Sequence, residues 1–368
     1  MRHGLGYTII SGMKSGVRAT ASFLVPLGEP CELQKLVIKN ETGERKSLKL
    51  FSLVEFCLWN ALDDMTNFQR NLNTGEVLVD ESTIYHITEY RERRNHFSFY
   101  SVNAPISGFD TDRDSFTGQY GSFADPETVR TASPKNSIAQ GWSPIASHCL
   151  NVELEPYEEK SFVFILGYVE NAPERKWLAD RSVNTEKARL IIERFRSPEL
   201  FDAAKKELAV FWEGLLSRFS LASGEARLDR MVNVWNQYQC MVTYNLSRSA
   251  SYFESGIGRG IGFRDTCQDI LGCVQMVPER VRTRLLDVAA IQFTDGGAFH
   301  QFQPLSKQGN ADIGSDFNDD PLWLILGTSA YIKETGDIDF LFTPVPFHGE
   351  PHTPRPMFEH LKRAFHHV

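Results

Sequence analysis

The feature that most constrains this chain is a change of hydrophobic period near residue 175. Before it, apolar residues alternate with polar ones or run apolar for strand-like lengths, as in "ATASFLVPLG", "CELQKLVIKNETGERKSLKLFSLVEFCLW" and "SFVFILGYVE". Successive side chains on a strand point to opposite faces, so this period marks sheet. "NETGE", between two such runs, reads as a hairpin-type turn, and "ELEPYEEKSFVFILG" repeats the strand–turn–strand pattern. Residues 1–175 are therefore expected to form an antiparallel β-sandwich. After "NAPERKW" the apolar positions recur at helical spacing, and "SPELFDAAKKEL" opens with a capping serine and an acidic first turn. Residues 176–222 read as a helical linker.

From residue 223 to 368 the chain reads as helices separated by glycine-rich loops: "ARLDRMVNVWNQYQCMVTYNLSRS", "PERVRTRLLDVAAIQF", "DPLWLILGTSAYIKETG" and "MFEHLKRAFHHV". Proline stands in the first turn of the second, where its missing N–H costs nothing. "KETGD" supplies a glycine C-cap to the third. The loops between these helices, rich in Gly, Asp, Asn and His, are where chemistry would sit on such a scaffold.

Bulk properties narrow the function. A formal charge of −8 argues against a non-specific nucleic-acid binder. No apolar run approaches the length of a membrane span, and "MRHGLGYTII" lacks a signal-peptide pattern. The six cysteines (Cys31, Cys57, Cys149, Cys240, Cys267 and Cys273) form no CxxC pair. They read as reduced thiols of a cytoplasmic protein rather than zinc ligands, and no metal is expected. Aromatic residues reach 12%, which suits sugar-stacking surfaces but equally a large core.

The densest chemistry lies in "YFESGIGRGIGFRDTCQDILG", where Arg259, Arg264, Asp265 and Asp269 stand among Gly256, Gly258, Gly260 and Gly262. It lacks the GK[ST] ending of a Walker A loop, and no βαβ unit surrounds it. Neighbouring hydroxyls of a sugar ring match an Asp that accepts beside an Arg that donates. An Arg–Asp pair that only fixes a loop fits the same residues. In "SDFNDDPLWL", Asp316, Asp319 and Asp320 have the look of a general-acid cluster, while Asp319 and Asp320 also stand where carboxylates cap a helix. His300, Gln301, Gln303 and Lys307 occupy a glycine-bounded segment whose plainer reading is a solvated loop. In the first half, "WNALDDMTNFQRN" breaks the strand pattern with Asn60, Asp63, Asp64, Asn67, Gln69 and Arg70.

Taken together, "RHGLGYT", "LFSLVEFCLWNALDDMTNFQRN", "YHITEYRERRNHFSFYSVN", "GWSPIASH", "YNLSRSASYFESGIGRGIGFRDTCQD" and "DGGAFHQFQPLSKQGNADIGSDFNDDPLWLILGTSAYIKETGD" resemble glycoside hydrolase family 94 over essentially the whole chain. Within that family the match is closer to cellobiose phosphorylases than to chitobiose phosphorylases or cyclic glucan synthases. The resemblance implies an N-terminal β-supersandwich, a helical linker and the first part of an (α/α)6 barrel. It implies phosphorolysis of cellobiose with inversion, giving α-glucose 1-phosphate and glucose, with inorganic phosphate as co-substrate and no cofactor. Related specificities for cellodextrin, laminaribiose or cellobionate belong to the same family, and a non-catalytic sugar-binding remnant is the reading from another class.

By position, Arg259 and Asp265 fall where the family holds the donor glucosyl ring, and Arg248 where it binds phosphate. Asn60, Asn67, Gln69 and Arg70 match a sandwich loop that reaches the active-site mouth in a homodimer. The family's catalytic Asp belongs to a Trp-Asn-Asp motif that is expected beyond Val368. No residue of this chain is therefore assigned as general acid, and neither Asp319 nor Asp320 takes that role. The chain is expected to be an internal fragment, short at both ends and inactive by itself.

Overall fold

A computed structural model describes residues 1–56, 75–88, 95–139, 144–246, 260–303, 307–309 and 317–368. The chain divides into two units, Met1–Val210 and Phe211–Val368. The first is antiparallel sheet followed by helix, and the second is helical, which is the architecture the change of period predicts.

The strands of the first unit are β1 (Arg2–Gly4), β2 (Tyr7–Lys14), β3 (Val17–Leu24), β4 (Cys31–Asn40), β5 (Lys46–Phe51), β6 (Val54–Glu55), β7 (Gly75–Asp80), β8 (Thr83–Thr88), β9 (His96–Val102), β10 (Gly108–Asp112), β11 (Pro144–Leu154) and β12 (Glu159–Glu170). They form one eight-stranded sheet, ordered β1-β2-β3-β4-β12-β9-β8-β7, and one four-stranded sheet in which β11 pairs with β10, β5 and β6. The apolar core between them includes Ile38, Ile84, Tyr100, Phe162 and Phe164 from the larger sheet and Ala146, Leu150, Val152 and Leu154 from the smaller. Tyr100 spans the layers by stacking on the His148 ring, with centroids 5.0 Å apart. The middle strands β9 and β12 are buried over most of their length, so they read as apolar runs and not as alternation.

"NETGE" is not the hairpin its composition suggests. β4 pairs with β3 and β12, whereas β5 pairs with β11 in the other sheet. The chain therefore arches from one layer to the other at residues 41–45, and it crosses back between β11 and β12 at residues 155–158. Asn40 holds the two arches together. Its side chain is fully buried and donates to the carbonyls of Glu44 (2.6 Å) and Glu155 (3.0 Å). Its Oδ1 accepts from Thr42 N (3.0 Å) and Thr42 Oγ1 (2.7 Å). Turn residues such as Asn and Gly serve a hairpin and an arch equally well; the partner that each strand finds decides between them.

Short helices α1 (Arg113–Thr117) and α2 (Glu127–Thr131) lie between β10 and β11. After the sandwich come α3 (Glu186–Phe195) and α4 (Pro198–Leu216), with Ser197 Oγ accepting from Leu200 N at 3.3 Å as the cap motif predicts. The second unit holds α5 (Ala226–Arg230), a π turn at Met231–Asn236 and α6 (Gln237–Leu246), which follow one another without a break. Next come α7 (Phe263–Leu271), α8 (Pro278–Ala289), α9 (Asp320–Thr335) and α10 (Met357–His367). Gly336 ends α9 in the left-handed region, at φ 73°, as the C-cap reading requires. Among the described residues, no helix is long and apolar enough to cross a membrane. Five thiols are free there, and all but Cys240 are buried.

Candidate active site

The described part of the glycine-rich segment enters α7. Ile261 and Gly262 form β13, which pairs with β14 (Gln301–Phe302) in the register Ile261↔Phe302 and Gly262↔Gln301. A Cβ on Gly260 would sit 2.4 Å from the Phe302 carbonyl oxygen, so only glycine allows the two backbones to meet there. A Cβ on Gly262 would sit 2.9 Å from Asp265 Oδ2. The close approach that these two glycines permit is thus to the chain itself: one to a strand, the other to the carboxylate three residues on. Gly262 is the N-cap of α7, and Asp265 lies in its first turn, where a negative charge meets the positive end of the helix dipole.

Two consecutive carboxylates at the start of α9 face this turn. Asp319 occupies the N-cap position, but its side chain makes no capping hydrogen bond. Its Oδ2 accepts instead from Arg264 Nη1 at 2.7 Å and from Trp323 Nε1 at 3.3 Å. The Arg264 hydrogen bond, the leading influence, holds the Asp319 carboxyl below the usual range. Asp320 is fully buried, and its Oδ2 lies 2.9 Å from His300 Nδ1. Its Oδ1 has no hydrogen-bond partner among the described residues. Such an orphan costs about 1–3 kcal/mol. Burial pushes the Asp320 carboxyl up, against the lowering effect of the His300 hydrogen bond. The His300 ring packs on Phe317, with centroids 4.4 Å apart, and the His300 carbonyl accepts from Phe263 N at 2.9 Å.

Of the sequence-identified candidates, the fold thus brings Arg264, Asp265, His300, Asp319 and Asp320 to the facing starts of α7 and α9. Arg264 pairs with Asp319 through Nη1. Capping describes the position of Asp319 but not its side chain. Residues 300–303 are not a solvated loop: Gln301 is 2% exposed within β14, and His300 is tied at both ring and backbone. Lys307 is committed to Asp287 at 2.7 Å. Asp269 is buried on α7. Asn60, Asp63, Asp64, Asn67, Gln69, Arg70, Arg248, Gly256, Gly258, Arg259 and Asp316 lie outside the described residues. Sequence reading missed the His300–Asp320 bond, which joins residues 20 apart through tertiary structure with no local signature. It also missed Trp323, whose place one turn inside α9, at i+4 from Asp319, was the available clue. No cluster among the described residues is built to hold a metal ion.

The chain is thus a two-sheet sandwich followed by a helical unit with acidic helix starts. Residues 1–198 match the family description "Glycosyl hydrolase 94, supersandwich domain", and residues 211–368 match "Glycosyl hydrolase 94 superfamily, catalytic domain". The chain belongs to glycoside hydrolase family 94. Its relatives include an N,N'-diacetylchitobiose phosphorylase from Vibrio proteolyticus, 27% identical over 99% of this chain and 46% of that protein. A solabiose phosphorylase from Paenibacillus borealis is 25% identical over 94% of this chain and 41% of that protein. The cyclic beta-(1,2)-glucan synthase NdvB of Rhizobium meliloti is 25% identical over 94% of this chain and 11% of its own length. The chain spans less than half the length of these relatives. None of the three is named as a cellobiose phosphorylase, so these relatives support the family and not the finer match expected from the motifs.

Proposed function

We propose that the whole protein is a disaccharide phosphorylase that cleaves a β-glucoside, cellobiose first among them, with inorganic phosphate and inversion at the anomeric carbon. The observation that carries this reading is the order of the two family domains along nearly the entire chain, with Asp265 placed by Gly262 at the start of α7 in the catalytic one. In an inverting reaction one carboxylic acid protonates the leaving oxygen, and the nucleophile arrives from the opposite face. Phosphate as nucleophile removes the need for a second carboxylate to activate water. Asp265, with Arg259, would hold hydroxyls of the donor ring, Arg248 would bind phosphate, and Asn60, Asn67, Gln69 and Arg70 would line the mouth. None of Asp265, Asp319 and Asp320 is the proposed acid: Asp319 is neutralised by Arg264, and Asp320 is fully enclosed. A cytoplasmic homodimer without a bound cofactor completes the proposal. The Vibrio relatives support a second specificity, N,N'-diacetylchitobiose.

The test is sugar 1-phosphate release by the full-length protein from inorganic phosphate and cellobiose, laminaribiose, cellotriose, cellobionate or N,N'-diacetylchitobiose. The expected result is α-glucose 1-phosphate from cellobiose, with the α configuration read by NMR. Cleavage that proceeds equally without phosphate would make the protein a hydrolase. Product from diacetylchitobiose alone would transfer the specificity to the second reading.

A further inference from the structure

Three consecutive residues at the start of α7 are held from outside that helix or against its cap. Phe263 N donates to the His300 carbonyl, and the His300 ring is in turn fixed by Asp320. Arg264 is fixed by Asp319, the residue before Asp320. Asp265 lies with its carboxylate over Gly262, where a single methyl group would displace it. Neighbouring residues of α9 thus grip neighbouring residues of α7, one through an intervening histidine and one directly. Asp319 gives its side chain to this grip although its own helix start would accept a cap, and Asp320 does so with one oxygen left buried and unpaired among the described residues.

We propose that Asp319, Asp320, His300 and Gly262 are positioning residues that set the orientation of Asp265 toward the donor sugar, without touching that sugar themselves. The inference rests on the reading of Asp265 as a donor-ring residue. A carboxylate that accepts from two ring hydroxyls must be placed within a fraction of an ångström, and misplacement by about 1 Å costs on the order of 100-fold in rate. The first turn of a helix has no full set of internal hydrogen bonds to hold it, so outside contacts decide where its side chains point.

The test uses the full-length enzyme in the synthetic direction, with α-glucose 1-phosphate and glucose as probes. Asp319→Ala, Asp320→Ala and Gly262→Ala are each expected to lower kcat/KM for α-glucose 1-phosphate about 10-fold while leaving KM for the acceptor glucose unchanged. Asp320→Asn keeps an acceptor for His300 and is expected to stay within about 3-fold of wild type. In an Asp265→Asn background the same changes should add less than about 2-fold, because they act through a group already removed. Losses that multiply with Asp265→Asn, or that fall equally on both substrates in step with thermal stability, overturn the proposal. If Asp265→Asn alone changes nothing, the reading of Asp265 fails and takes the proposal with it. If Asp265→Asn is damaging while the Ala variants are silent, the proposal alone fails. Asp319 is half-exposed, so its variant folds even where Asp320→Ala does not.

Discussion

Asn40 in the sandwich and the Asp319–Asp320 pair in the helical unit are short polar side chains put to opposite uses. Asn40 is sealed from water, and both ends of its amide are spent on the backbone of two arches. The aspartates bond to other side chains, and one of them is 48% exposed while the other keeps an oxygen with no hydrogen-bond partner among the described residues. A polar group that closes backbone turns contributes to stability through the several hydrogen bonds that it makes at once. A half-exposed polar group that holds another side chain, as Asp319 holds Arg264, contributes little to stability and much to where that side chain points.

The largest effect that would break this contrast is on Asn40. Asn40→Ala removes one of the two donors to each of the Glu44 and Glu155 carbonyls and the acceptor of Thr42 N and Oγ1, and it is expected to lower unfolding free energy by about 3 kcal/mol in urea denaturation. A loss below about 1 kcal/mol would mean that the arches hold without it.

Next comes acid sensitivity of the same core. Burial pushes His86 from 6.5 to about 4 and His148 from 6.5 to about 3. Both are neutral when folded, so below about pH 6.5 the unfolded chain binds protons first, and stability falls as pH drops toward the folded values. His86 packs against Phe56 and His148 against Tyr100, and among the described residues neither has a carboxylate hydrogen-bond partner to offset the charge. Urea midpoints should decline steadily from pH 6.5 to 4, and His148→Phe should flatten that decline; an unchanged slope would remove His148 from the account.

The smallest effect is expected at the second region. Arg264→Lys or Asp319→Asn should change stability by less than about 1 kcal/mol, because the pair is 36% and 48% exposed. A loss as large as that of Asn40→Ala would erase the distinction between the two regions.

The sequence made some of these features legible and hid others for identifiable reasons. Residues 320–336 carry a complete local grammar, with acid, proline, apolar period and terminal glycine, and the helix follows it. β4, β11 and β12 were visible as strands, but the pairing of β11 with β5 and of β12 with β4 was not, since it spans roughly a hundred positions. The π turn at Met231–Asn236 left no mark in the pattern. Asp265, Asp319 and Asp320 were recognisable as chemically loaded. What Asp319 and Asp320 are bonded to required the folded chain, because Arg264 and His300 stand 55 and 20 residues away in sequence.

The order of the larger sheet also sets a timetable. β1 to β4 are sequential neighbours and can assemble as they are made, but the next strand in space after β4 is β12, which ends at Glu170. At roughly 5–20 residues per second of synthesis, β4 waits on the order of ten seconds with one edge unsatisfied. The same late strand joins β4 to β9, so both halves of the sheet are finished by one arrival. Newly made chains therefore pass through an interval when an apolar strand edge is open to other chains, and the yield of folded protein in a crowded cell depends on how well that interval is guarded.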